Sequence, residues 1–162
     1  MKLLLYVFLM FVSTIECGAQ KQQFIPQNRG AATVKEKRQQ KTLKEITYLA
    51  VSRGLYLRIT IANDSISFTN NSQVKSEVVY GIPQREKETL YSLINDINIK
   101  SLPHLQVPST RHQIDGVAIA TLGVTTANKA YKTSAFDHGN PPEPIKSIVE
   151  KMLSIKSMIE KQ

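Results

Sequence analysis

Five side chains able to do chemistry sit in two short loops. Arg111, His112 and Asp115 fall within Pro108-Ser109-Thr110-Arg111-His112-Gln113-Ile114-Asp115-Gly116, and Asp137-His138 within Ser134-Ala135-Phe136-Asp137-His138-Gly139-Asn140-Pro141-Pro142-Glu143-Pro144. Two imidazoles and two carboxylates are ordinary ligands for zinc and its neighbours. No pair has the close helical spacing of a His-Glu-x-x-His site, so neither a metal nor a cofactor is expected. Ser109 or Ser134 beside His112 or His138 would supply a nucleophile and a base, yet no Gly-x-Ser-x-Gly turn presents either serine. Arg111 with a nearby histidine can grip a carboxylate or phosphate through its guanidinium fork, or simply pair with Asp115 or Asp137. The five residues are therefore candidate binding positions, and no catalytic residue is assigned.

A purely structural reading accounts for much of the second loop. A helix starting at Pro141 would have Asn140 as its N-cap and Glu143 at its third position, a capping-box-like arrangement. Gly139 permits a positive φ just before that cap. Asp137 would then accept hydrogen bonds from loop amides, and His138 would brace the turn. His104, in Leu102-Pro103-His104-Leu105, is expected to pack rather than to ligate.

The elements that must position these loops are legible as periodicity. Ile46 to Val51 reads as a strand, and Ser52-Arg53-Gly54 as a turn. In Leu55-Tyr56-Leu57-Arg58-Ile59-Thr60-Ile61 the leucines and isoleucines occupy every second position, one face of a second strand. Asn63-Asp64 turns the chain into a third strand, Ile66 to Thr69. After Pro83, Leu90, Leu93, Ile94 and Ile97 follow at helical spacing. Val117 to Val124 is apolar at nearly every position, which predicts a strand that is central or covered on both faces. Lys129 to Ser134 would pair with it, and Ile145, Ile148, Val149, Met152, Ile155 and Ile159 form the stripe of a long second helix. The fold class is α+β: an antiparallel sheet of about five or six strands with two helices on one face, in the order hairpin, helix, hairpin, helix. If Asp115 leads into one strand and Phe136 ends its antiparallel partner, both loops reach the same end of the sheet.

Charge divides the chain. Residues 20–44 hold seven Lys and Arg against Glu36, a net +6, with few large apolar side chains. Residues 45–162 form the single domain, and there 13 basic residues face 11 acids, a net +2. The basic pI thus belongs to the arm, which has the composition of a disordered tether and can make weak, salt-sensitive contact with an anionic surface. No nucleic-acid-binding motif is present, and nucleic acid is not an expected partner.

The first 19 residues resemble a secretory signal peptide: Lys2, the apolar run Leu3 to Val12, and small residues Cys17 and Ala19 ahead of Gln20. The run is too short to span a bilayer. Lipidation of Cys17 is the rival reading, disfavoured by the bulky Glu16 before it. Cys17 is also the sole cysteine, so no internal disulfide can form and the domain relies on its core. The expectation is a small exported bacterial domain, periplasmic or secreted. It would bind a protein or envelope partner without catalysis, in the manner of an inhibitor or immunity protein. The alternative is a metal-assisted or acid–base hydrolase built on the two loops.

Overall fold

The computed structural model describes residues 43–73, 77–114 and 116–162. The signal-peptide reading, Cys17, the arm up to residue 42, and Asp115 all lie outside the described residues. Alternation of apolar and polar side chains sets the first strands: β1 (Leu43–Val51) buries Ile46, Tyr48 and Ala50, and β2 (Tyr56–Ala62) buries Leu57, Ile59 and Ile61. The turn between β2 and β3 (Ser65–Thr69) places Asn63 at φ 54°, a left-handed conformation that Asn tolerates better than most residues. The chain then adds β4 (Val79–Gly81), which extends the three expected strands to a four-stranded meander.

Helix α1 (Gln84–Asn95) follows Pro83, which takes the N-cap position, and buries Leu90 and Ile94. It is fastened to the β2–β3 turn by Lys87 on Asp64 and by the Tyr91 hydroxyl, which donates to the Asn63 carbonyl at 2.8 Å. Two 3-10 segments, Ile99–His104 and Arg111–Ile114, lead to β5 (Ile119–Thr126). The return strand is split into β6 (Ala130–Lys132) and β7 (Phe136–Asp137), both paired with β5. The break falls at the buried Thr133, whose hydroxyl accepts from the Leu122 amide in place of a ladder carbonyl.

Among the described residues, the seven strands make one antiparallel sheet in the order β4-β3-β2-β1-β5-β6, with β7 also on β5. β5 is central, as expected, but it is covered on one face only. Ala120, Leu122 and Val124 are buried, while Ile119 stays 45% exposed and Thr121, Gly123 and Thr125 are partly open.

Helix α2 (Glu143–Ile159) buries all six residues of its expected stripe. Those side chains join the inward residues of β1, β2, β3, β5 and β7 and the buried face of α1 in one cluster, so both helices lie on the same face. Each buried Ile or Leu contributes about 1.5–3 kcal/mol relative to exposure, and this layer holds the domain together. Among the described residues, no helix lies on the opposite face of the sheet. Among the described residues, no helix is long and apolar enough to cross a membrane.

Candidate functional site

Antiparallel pairing of β5 with β7 puts Phe136 opposite Ala120 and Asp137 opposite Ile119. Neighbouring residues in extended chain point to opposite faces. Phe136 therefore enters the core, Asp137 turns to the helix-free side, and His138 turns back toward the core. The hydrogen bonds follow that alternation.

Asp137 is almost fully buried because the segment Ser109–His112 folds over it. Ser109 Oγ donates to Oδ2 at 2.5 Å, and the Arg111 amide to the same oxygen at 3.0 Å. Oδ1 accepts from the His112 amide at 2.8 Å and from His112 Nδ1 at 2.6 Å. Asn140 Nδ2 donates to Ser109 Oγ at 2.8 Å, joining the far end of the second loop to the first. Burial alone would raise the Asp137 carboxyl, but bonds from Ser109, from the amide and ring of His112, and from the Arg111 amide outweigh it. Together they hold the group well below the usual carboxylate range. The carboxylate also fixes the His112 tautomer with its proton on Nδ1.

His138 has a different partner. Its Nδ1 lies 2.7 Å from the hydroxyl of Tyr48, a side chain with 0% exposure in the middle of β1. With His138 neutral, Tyr48 donates. Burial lowers the His138 pKa and raises that of Tyr48, so both groups favour their uncharged forms.

The two loops therefore meet, as the antiparallel pairing predicts, but only some of the five candidates come together. His112 and Asp137 are bonded. Arg111 contributes its amide to Asp137, while its side chain is exposed, so the expected guanidinium–carboxylate pair with Asp137 does not form. His138 belongs to the core side, and Asp115 is outside the described residues.

Neither loop serine is hydrogen-bonded to a histidine: Ser109 donates to Asp137, and Ser134 donates to the Pro103 carbonyl at 3.2 Å. Three clefts of about 430, 460 and 520 Å³ open on the described surface, and neither Asp137 nor either flanking histidine lines them. Among the described residues, no group of three or more His, Cys, Asp or Glu is placed to hold a metal ion.

Two local expectations are corrected. Asn140 is not the N-cap of α2, and Asn140 and Glu143 form no capping box. The N-cap is Pro142, with ψ 138° and no side-chain cap bond, and Glu143 is the first helical residue. The cause is Pro142 itself, since a residue that precedes proline is pushed out of the α region and Pro141 cannot begin the helix. Asn140 is thereby released to reach Ser109. Gly139 does take a positive φ, 86°. His104 is exposed rather than packed, and Leu102 fills the core there instead.

Sequence reasoning missed Tyr48 and the structural use of Ser109. The signal for Tyr48 was present, because a tyrosine at an inward position of an apolar strand needs a partner for its hydroxyl. No protein-family model matches the chain, and no curated protein matches it in sequence.

Proposed function

We propose that the protein is a small exported bacterial domain that acts by binding a protein or envelope partner, with no chemical turnover. The observation that supports this reading most is the face of the sheet on which, among the described residues, no helix lies. One face is sealed by α1 and α2, while the other is partly open across β1, β2, β3 and β5 and includes exposed Val51 and Ile119. Exposed apolar side chains grouped on one surface mark interaction sites more often than scattered ones do.

A hydrolase using the two loops is the second reading, favoured by the bonded His112–Asp137 pair, which has the form of an oriented base. In that cluster Ser109 is occupied by Asp137 and Asn140, and both carboxylate oxygens are saturated. Assay of the mature chain against peptidoglycan, esters and phosphoesters separates the two readings. Binding without turnover is expected. Hydrolysis lost on Asp137→Ala with His112→Ala would replace the binding function with a catalytic one.

A further inference from the structure

Resting on the binding reading, we infer where the partner docks and what chemistry it presents: an acidic protein surface with an aliphatic or aromatic anchor, seated on an arginine-rimmed apolar strip at one end of the open sheet face. Val51 lies beside Tyr56 of β2 on one side and Ile119 of β5 on the other, and Asp137 continues the row beyond Ile119. These positions alternate with buried Ala50, Leu57, Ala120 and Phe136, so they share the helix-free side. Ile119 is 45% exposed and Val51 37%, and the row ends where the Asp137-anchored loop carries Ile114, 81% exposed. Four hydrogen bonds to one buried carboxylate hold that loop in place. Such anchoring spares a partner part of the cost of ordering the loop.

Charge specifies the partner. Arg58 stands one row along from Tyr56, and Arg111 projects from the anchored loop. Arg58 keeps 41% of its side chain exposed even with Glu77 at 3.6 Å, whereas the side chains of Glu77 and Asp137 are only 14% and 3% exposed. The rim therefore presents positive charge, and complementary potentials select partners and speed encounter. A second copy docked by the same strip would bring the arginines of both copies together. A lipid surface matches the charge but not the row beside the strip, where the partly open Thr121 carries a hydroxyl that a protein can pair and an acyl layer cannot.

The test captures partners of the mature chain from native envelope extract, purifies the partner and measures its affinity. The baits are wild type, Ile114→Asp, Arg111→Glu and, on the exposed side of α2, Lys146→Glu. These positions are exposed, so folding is retained, and thermal melts verify it. The expected result is an acidic partner bound by wild type and Lys146→Glu. Its affinity falls at least tenfold in the other two variants and weakens with salt. Equal affinity for all four baits overturns the docking strip and leaves the binding function intact. Self-association by sedimentation, or co-sedimentation with phosphatidylglycerol vesicles, that the same substitutions abolish replaces the acidic protein with a second copy or a membrane. Retention of nothing by any bait ends the binding reading itself.

Discussion

Tyr48→Phe is the cleanest probe of how the core braces the second loop. The substitution keeps a ring of nearly the same volume against Phe136, whose centroid lies 6.4 Å away, and removes only the hydroxyl that meets His138 Nδ1 at 2.7 Å. A typical buried hydrogen bond contributes about 1 kcal/mol net, and the cost rises to about 2 kcal/mol if the ring nitrogen is left without a partner. His138 is only partly buried, so water can reach it and the lower value is expected. For a domain of this size about 1 kcal/mol corresponds to a fall in Tm of roughly 4 °C. Urea unfolding at pH 8, where His138 is neutral, would be run on Tyr48→Phe, His138→Ala and the double variant. A coupling of about 1 kcal/mol between the two positions is expected. Coupling indistinguishable from zero would show that the Tyr48–His138 contact does not brace the loop, and the reasoning from geometry to energy would fail.

Asp137→Asn should release the Arg111 and His112 amides, so hydrogen exchange at those two positions should accelerate toward the unprotected rate while β1 amides keep their protection; unchanged rates would remove Asp137 as the anchor. Stability should fall toward acid in two separate windows. His138, whose folded pKa is lowered by burial, favours the neutral form, so its contribution is full above its ordinary value of 6.5 and is lost as pH drops below it. Asp137, whose folded pKa is lowered despite burial, contributes fully above its ordinary value of 3.8 and loses that contribution at more acid pH. Urea midpoints against pH, with His138→Ala flattening the first window only, check both signs. Gly139→Ala should cost about 1–2 kcal/mol because φ is 86° there. Gly123→Ala should instead stabilise by about 0.5–1 kcal/mol, since an added Cβ meets nothing closer than 3.8 Å; thermal melts of the two variants should move in opposite directions.

Much of this architecture is written in local periodicity. Leu57, Ile59 and Ile61 alternate into the core, and the stripe from Ile145 to Ile159 is buried throughout, because period alone decides which face an element hides. The meeting of the two loops was also legible, since antiparallel pairing of two neighbouring strands leaves little choice. What could not be read depends on contacts between distant residues. β5 lies against β1, some 70 residues earlier, and no local pattern encodes that neighbour. The same applies to Tyr48 and His138, 90 positions apart. Residues from Val117 looked doubly covered because Ile119 and Gly123, both on the open face, count as apolar, although Ile119 stays exposed and a glycine has no side chain to cover. Asn140 looked like a cap because its spacing to Glu143 fits one, but the two prolines between them moved the helix start and left the amide to Ser109. The candidate site was thus legible as a place and illegible as a geometry.

The measurement that bears most directly on the central claim is hydrogen exchange of residues 43–162 with and without the proposed binding partner. Added protection confined to the Ser109–Ile114 loop and to the strand ends around Val51 and Ile119 is the predicted result. Protection that falls on α1 and α2 instead, or that appears nowhere in the domain, would contradict it.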